Sequence, residues 1–236
     1  MIGSGGRRFE LVSMLVDGDE AAPKATLRRA CGVGPELCGV SGMAVSLLSD
    51  HGPGLVMCAS DPVARTLEGL QSSLGEGPGF HACAGGLAVL ESDLETSTRW
   101  SQYSEAAVRA GVGAVFGFAL QIGAVKMGAM TLYRHRRGDL GVAALRDAVI
   151  LSEIVTSLVL AINADGDGWG PADLDDLDDG WLVIHQATGM VSVQLQVGVE
   201  TALARMRAHA YAAGRSLGDV AGDVVARRLR LEPNGG

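Results

Sequence analysis

The segment 174–195 carries an apolar repeat that restricts it to one kind of structure. Its apolar positions alternate in steps of three and four, which places them on one face of a helix as a heptad repeat. Gly180 and Gly189 each weaken such a helix by roughly 1 kcal/mol relative to alanine, so the helix needs a packing partner. The repeat consists of Leu174, Leu177, Trp181, Ile184, Thr188, Val191 and Leu195, with Thr188 as a polar residue in a core position.

Two further helices are predicted after this repeat. Residues 199–213 have one apolar face, and Gly214 stands where a helix would end. Ser216 is placed as the N-cap of a last helix at 216–231, because an aspartate follows it three positions later. Residues 173–231 are therefore predicted to form an all-α module of three helices.

The charge of this module is opposite to that of the whole chain. Residues 181–231 hold six arginines against three acidic residues, whereas the chain has a net charge of −8. A basic module behind an acidic domain favours a polyanionic partner, although arginines also serve simply as a solvated surface. The six are Arg205, Arg207, Arg215, Arg227, Arg228 and Arg230.

These three helices resemble a known RNA-binding domain. The resemblance is to the ANTAR domain of bacterial transcription antiterminators, and it rests on three runs in order: IHQATGMV (184–191), VETALARMRAHA (199–210) and LGDVA (217–221). Val199 departs from the family, in which many members have a serine cap, and leaves Gly198 as a weaker cap. Small residues fall where the family's helices approach closely, at Ala187, Gly189, Ala202, Ala210 and Ala221.

The resemblance implies that the module binds a pair of short RNA hairpins and so prevents a competing terminator stem from forming. RNA loops are contacted by stacking on planar side chains and through phosphates. Arg207 and Tyr211 share a helix face, as do Arg205 and His209, although Tyr211 also fits a packing role. Arg230 is interpreted as favouring the helix dipole. The predicted RNA-binding residues are Arg205, Arg207, His209, Tyr211, Arg215, Arg227 and Arg228.

The earlier part of the chain predicts an antiparallel sheet covered by helices. Its patterns follow the order helix, hairpin, helix, crossover, hairpin and helix, so the fold class is α+β with the all-α module behind it. The start, 1–23, is glycine-rich and predicted to be flexible, with 9–16 as an alternative short helix. The predicted helices are 24–37, 62–74, 102–110 and 139–162, and the predicted strands are 42–48, 55–60, 114–121 and 126–134.

Residues 24–163 resemble a GAF domain in this order of elements. The run LEGLQSSLGEGP at 67–78 and the pair Asp93-Leu94 before Trp100 are similar to GAF domains of actinobacterial regulators that join GAF and ANTAR domains. Gly111-Val112 before the second strand pair, which ends in Leu132-Tyr133, is a further point of likeness.

The GAF resemblance implies a small-molecule sensor but selects no ligand. The NKFDE pattern of cyclic-nucleotide pockets is absent. His81 and Cys83 lie in a region that faces a pocket in such domains, although single residues of this kind more often serve packing or the surface. No cofactor is evident, an unidentified small-molecule ligand is left open, and a purely dimerising GAF domain is the alternative.

The cysteines and the apolar segments indicate a cytoplasmic protein. No apolar run follows the first arginines, so no export signal is predicted, and five glycines interrupt the apolar stretch at 111–130, which is therefore no membrane span. The cysteines have neither a CxxC spacing nor a histidine at a metal-ligand interval. We expect four reduced, mostly buried thiols, with redox or metal sensing by the first two as the alternative: Cys31, Cys38, Cys58 and Cys83.

An acidic linker is predicted at 164–172, and a tail at 232–236. Seven aspartates fall within 163–179, without the ligand order of an EF-hand loop. Those at 173–179 are predicted to lie at the start of the first helix of the module, where they favour its dipole. One regulatory hypothesis is that this acidic run covers the arginines and competes with RNA until the sensor changes.

The combined prediction is a sensor-coupled transcription antitermination regulator that binds tandem RNA hairpin loops as a homodimer. The heptad repeat and a second apolar repeat at 154–162 form the predicted dimer seam, with intramolecular burial of each repeat as the alternative. A DNA-binding helix-turn-helix regulator and a dimeric signalling scaffold without nucleic acid are the other candidates. No catalytic group can be assembled from these residues, so no enzymatic activity is predicted.

Overall fold

A single antiparallel sheet organises the first domain. The computed structural model describes residues 4–16, 22–49, 52–164 and 179–232, and among them five strands pair in the order β2-β1-β5-β4-β3. The strands are β1 (Gly42–Ser49), β2 (Gly52–Ala59), β3 (Val89–Glu91), β4 (Ala114–Ile122) and β5 (Val125–Arg134).

The two predicted hairpins are confirmed as β1–β2 and β4–β5. The central pairing joins the hairpins through β1 and β5, with Met43 opposite Leu132 and Val45 opposite Met130. Gly128 is required in β5, because a Cβ there would lie 2.0 Å from the carbonyl oxygen of Ser46 on β1. The three-residue strand β3 was not predicted, since so short a run has no measurable alternation.

One face of the sheet is covered by α1 (Ser4–Leu15), α2 (Pro23–Cys38) and α6 (Gly141–Ala164). The core on this side includes Leu27, Phe116 and Leu151, all fully buried. The second apolar repeat of the prediction, at 154–162, lies here: Ile154 and Ile162 are buried, and Leu158 is partly buried against the same core. Its proposed role in a dimer seam is therefore wrong, because the sheet of the same chain already covers these side chains.

The prediction of a flexible start is also wrong for 4–15. Leu11 and Leu15, one helical turn apart, are both buried in the core. Arg7 donates from Nη2 and Nε to the carboxylate of Asp147 on α6, at 2.7 and 3.2 Å. This bidentate ion pair and the two buried leucines stabilise the helix by more than the glycines in the segment destabilise it.

The opposite face of the sheet carries α3 (Pro62–Leu74), α4 (Pro78–Gly85) and α5 (Ser101–Arg109). Asp61 caps α3 by accepting a hydrogen bond from the backbone N–H of Ala64 at 2.9 Å, and it also accepts from the Tyr133 hydroxyl at 3.0 Å. Trp100 and Tyr103 are fully buried in this second core. Helix α4 was not predicted, because its glycines disfavour a helix that packing against β4 stabilises.

The expectation of four reduced thiols is wrong for two of the cysteines. Cys31 on α2 and Cys58 on β2 form a disulfide, with their Cα atoms 6.3 Å apart. Helix α2 crosses the β1–β2 hairpin, which brings together residues 27 positions apart. Cys38 is buried, and burial raises the pKa of its thiol to about 12. Cys83 is partly exposed and lies outside the disulfide.

The last three helices are α7 (Asp179–Leu195), α8 (Val199–Ala212) and α9 (Leu217–Val225), and they share a separate core. Gly214 has a φ of +62°, as a helix stop requires, and the Ser216 hydroxyl accepts a hydrogen bond from the Asp219 N–H at 3.0 Å. Both of these predictions are confirmed. The predicted last helix ends at Val225 rather than at 231. Just after Val225 the chain turns through Arg227, which has a φ of +59°.

The heptad repeat is used inside the chain as far as the structure describes it. Val191 is fully buried against α8 and α9, and Thr188 is 3% exposed and donates to the Ile184 carbonyl oxygen at 2.7 Å. Ile184 and Leu195 pack partly against the same core. Intramolecular burial, the alternative reading, therefore accounts for Val191 and Thr188. Positions 174 and 177, the side chain of Trp181 and the acidic linker lie outside the described residues.

Among the described helices, no apolar stretch has the length and hydropathy of a membrane span.

Candidate nucleic-acid interface

Helix α8 displays part of the predicted RNA-binding set to solvent. Tyr211 is 68% exposed, so its ring lies outside the core and is available for stacking. His209 and Arg205 are partly exposed. Arg205 donates from Nη1 to the carbonyl oxygen of Glu232 at 3.3 Å, so this guanidinium holds the segment after α9 against α8.

Arg207 faces the first domain instead of solvent. Its Nε donates to the carbonyl oxygen of Ser72 at 2.9 Å, and its Nη1 would lie 3.1 Å from a Cβ at Gly75. Nη2 is buried without a hydrogen-bond partner among the described residues, and burial lowers the pKa of the guanidinium. In this conformation Arg207 contacts the last turn of α3, which attracts a cation, and Gly75 leaves room for it, so an RNA contact by Arg207 stays a prediction that requires the guanidinium to leave this position.

Asp223 holds two of the predicted arginines together. Arg215 donates to one carboxylate oxygen at 2.7 Å, and Arg228 donates from Nε to the other at 2.8 Å. These hydrogen bonds lower the pKa of Asp223, so the carboxylate is charged at neutral pH. Both guanidinium groups remain at the surface, but half of their positive charge is already balanced within the module.

Arg227 and Arg230 lie beyond the end of α9, and their guanidinium groups make no ion pair or hydrogen bond with a described residue. The helix-dipole interpretation of Arg230 is wrong, because the helix ends five residues earlier at Val225. Both arginines line a groove of about 670 Å³ between α7 and this final segment. Sequence reasoning set Arg230 aside, although three arginines within four positions were a visible signal.

A buried polar network lies on α3 of the first domain. Glu68 accepts hydrogen bonds from the Ser46 hydroxyl at 2.6 Å and from Gln71 Nε2 at 2.7 Å. Gln71 Oε1 accepts from the backbone N–H of Gly79 at 2.7 Å, which ties α3 to α4. Burial raises the pKa of Glu68. The Tyr103 hydroxyl is also buried, without a hydrogen-bond partner among the described residues.

His81 is hydrogen-bonded to Trp100, and Cys83 is partly exposed. Trp100 Nε1 donates to His81 Nδ1 at 2.9 Å, and the two rings meet edge to face with centroids 5.4 Å apart. His81 therefore has the packing role that was the alternative for it. Within the described ranges, no three His, Cys, Asp or Glu side chains are grouped so that they could hold a metal ion.

The comparisons with known proteins assign both parts of the chain. Residues 182–225 match the family model of the ANTAR domain. They form an ANTAR domain. This match implies an RNA-binding antitermination regulator, because ANTAR domains are regulatory domains and not catalytic ones. No sequence among the curated proteins matches the chain.

Solved structures resemble the first domain. The GAF domain of an Acinetobacter phosphoenolpyruvate-protein phosphotransferase has a TM-score of 0.53 at 13% identity, covering 70% of this chain and 97% of that one. The GAF domain of such a protein from Coxiella burnetii has a TM-score of 0.54 at 10% identity, covering 70% and 98%. At these identities the likeness establishes the fold: a GAF-like domain precedes the ANTAR domain.

The two domains meet through the sheet edge and α3. Helices α7 and α8 of the ANTAR domain both contact β2, the edge strand of the GAF-like sheet. Arg207 reaches the end of α3 beside this edge. The ANTAR match ends at 225, so Arg227 and Arg230 lie just beyond it.

Proposed function

We propose that the chain is a sensor-coupled transcription antitermination regulator that binds paired RNA hairpin loops through its ANTAR domain. The observation that carries this proposal is the ANTAR match at 182–225, combined with exposed arginines around the same three helices. Guanidinium groups contact phosphates and stack on bases, and Tyr211 adds an exposed aromatic face. The GAF-like domain would sense a small molecule and alter this binding.

Helix α3 is the element that supports coupling between the domains. Glu68 and Gln71 belong to its buried polar network, and the carbonyl oxygen of the next residue, Ser72, accepts the hydrogen bond from Arg207. A ligand that rearranges the network would shift the last turn of α3 and with it the Ser72 carbonyl oxygen to which Arg207 donates. Spatial continuity of this kind motivates the coupling, and a measured change in RNA affinity would establish it.

The energetics of the Arg207 contact suit a reversible switch. A hydrogen bond from a charged donor contributes about 1.5–3 kcal/mol, whereas a buried donor without a partner costs about 1–3 kcal/mol, and more when it is charged. In Arg207, Nε makes such a hydrogen bond and Nη2 is a buried donor without a partner among the described residues. The cost at Nη2 therefore offsets the gain at Nε, so a small change in the GAF-like domain is enough to release the guanidinium.

We also propose a homodimer, because two ANTAR domains would match two hairpins. The heptad repeat no longer supplies this contact where it is buried. Exposed apolar side chains on α6 offer another surface: Val142 is 89% exposed and Val149 is 40% exposed. Sedimentation of the full chain would test the dimer, and Val142→Glu with Val149→Glu should yield monomers if α6 forms it.

The direct test is binding of the full chain to a tandem-hairpin RNA over a range of salt. Single-hairpin RNA and duplex DNA serve as competitors, and Arg207→Met serves as a chain with the domain contact removed. Preference for the tandem RNA in either protein supports the proposal. Equal affinity for duplex DNA, or no binding by both proteins, would overturn it.

A further inference from the structure

A groove at the C-terminal end of the ANTAR domain has the composition of a nucleobase site. Its volume is about 670 Å³, within the range of small-ligand sites. Met190 and Val193 of α7 and Leu229 of the final segment give it apolar walls, and Arg227 and Arg230 stand at its edge. We call it the C-terminal groove.

The charges at the C-terminal groove are available to a ligand. Arg205, Arg207, Arg215 and Arg228 each hydrogen-bond to a carbonyl or a carboxylate of the chain. Arg227 and Arg230 make no such bond within the described ranges. Two guanidinium groups beside apolar walls complement a ligand that is both flat and anionic, which is the chemistry of a nucleotide in an RNA loop.

Gly189 marks the place where a ligand can approach α7 closely. It lies within the helix, where glycine is less favourable than alanine, yet a Cβ built on it would meet no atom within 4 Å. The sequence-based expectation that Gly189 allows close packing between helices is wrong, whereas Ala187, Ala202, Ala210 and Ala221 are indeed buried. Packing among the residues that the structure describes therefore leaves Gly189 unexplained, and it lines the C-terminal groove.

The backbone at Arg227 gives independent support. Its φ of +59° is a left-handed conformation, which glycine adopts far more readily than arginine. Leu229 N–H and Arg228 N–H both donate to the Asp223 carbonyl oxygen, so backbone hydrogen bonds and the Arg228–Asp223 ion pair fix the turn without the Arg227 side chain. The turn thus does not need the arginine side chain, which points to a role for that side chain outside the fold.

We propose that the C-terminal groove binds one unpaired base of an RNA loop, with Arg227 and Arg230 contacting the base face and its phosphate. This inference rests on the proposed RNA-binding function and adds the position at which a loop base is held. It moves the centre of recognition from the face of α8 to the space between α7 and the final segment.

The test compares two variants in the full chain. Gly189→Leu fills the groove without meeting protein atoms at its Cβ, and Arg227→Gly removes a guanidinium while relieving the left-handed backbone. Gly69→Leu is the matched control, since Gly69 is also an exposed mid-helix glycine with no atom within 4 Å of its Cβ position. The probes are a pool of tandem hairpins with randomised loops and the same hairpins with abasic loops.

We expect wild-type protein to prefer loops with bases by roughly tenfold or more, as base stacking on a protein surface allows. Gly189→Leu should lose this preference, and Arg227→Gly should bind both RNAs more weakly and reduce the log–log salt slope by about 0.7. Both variants should keep the melting temperature of wild type or exceed it, and Gly69→Leu should bind like wild type.

Three results would overturn the proposal in distinguishable ways. If wild type binds the pool and both groove variants bind it equally well, the groove is wrong while the RNA-binding function stands. If neither wild type nor Arg207→Met binds the pool, the RNA-binding function falls and the groove falls with it. If the groove variants lose dimerisation in sedimentation along with RNA binding, a second copy of the chain occupies the groove.

Discussion

Replacing Arg207 by methionine separates the two roles that this residue can have. The structure buries its guanidinium against the last turn of α3, whereas its position on α8 beside Tyr211 favours contact with RNA. Methionine retains most of the apolar stem of the side chain and removes the charge and its donors. The substitution therefore deletes the domain contact without creating a large cavity.

The expected change in stability is small. The lost hydrogen bond from Nε to Ser72 contributed about 1.5–3 kcal/mol, and removal of the unpartnered Nη2 returns about 1–3 kcal/mol. A net change within about 1 kcal/mol corresponds to a shift in Tm of about 2–4 °C for a chain of this size. Such a shift is readily distinguished from the loss of a packed domain.

The assay pairs RNA titration with hydrogen exchange. Arg207→Met should bind tandem-hairpin RNA at least as tightly as wild type, with an unchanged salt slope, because the buried guanidinium is not available to RNA. The backbone amide of Gly75 donates to the Gln71 carbonyl oxygen at 2.8 Å, and it should exchange faster once the Arg207 guanidinium no longer lies over it. A weaker affinity with a shallower salt slope would refute the reasoning and return Arg207 to the RNA interface.

Three further predictions follow from the charged and bonded groups. Asp223→Asn frees two guanidinium groups and should raise RNA affinity with a salt slope steeper by about 0.7–1.4, whereas the control Asp93→Asn should not. Because burial raises the pKa of Glu68, its contribution to stability is present below the ordinary glutamate pKa and lost as pH rises through the raised value. Urea titrations should therefore show Glu68→Gln gaining stability over wild type between pH 5 and 8, and an unchanged difference would contradict the burial. Reduction of Cys31–Cys58 should lower the free energy of unfolding by about 3–4 kcal/mol, and thiol counts in denaturant should rise from two to four.

The main elements of the GAF-like fold could be predicted because their signals are local. The hairpins β1–β2 and β4–β5 each combine an apolar run with a glycine turn, and α3 has its proline and its capping aspartate in adjacent positions. The elements that were missed depend on tertiary contacts. Helix α4 is glycine-rich and gains its stability from β4, and α1 depends on α6 through the pair Arg7–Asp147.

The disulfide shows the same limit at the level of single residues. No spacing rule connects Cys31 with Cys58, because the crossing of α2 over the hairpin alone brings them together. The prediction of reduced thiols rested on the expectation that the chain has no export signal. That expectation concerns the redox compartment and does not indicate which cysteines lie close together.

The arginines illustrate what a charge count omits. Six arginines predicted a polyanion site, yet in this conformation Arg207 is buried and Arg215 and Arg228 share Asp223. Their partners lie in other elements, so neither periodicity nor spacing reveals which guanidinium groups are engaged. The sequence does show the arginine cluster at 227–230. Only the structure shows that the helix ends before this cluster, at Val225, and that Arg227 and Arg230 lie at the edge of a groove.

This distribution of partners predicts the salt dependence of RNA binding in the conformation described. The guanidinium groups of Arg227 and Arg230 are without chain partners among the described residues, so each chain has about two phosphate contacts available. At about 0.7 per contact with a single strand, the log–log slope should be near −1.4 per chain, well short of what six arginines would give. A slope of about −4 per chain would mean that RNA also draws Arg205, Arg207, Arg215 and Arg228 away from the contacts that now hold them. An intermediate slope that steepens in Asp223→Asn but not in Arg207→Met would mean that RNA releases Arg215 and Arg228 from Asp223, while Arg207 keeps its contact with α3.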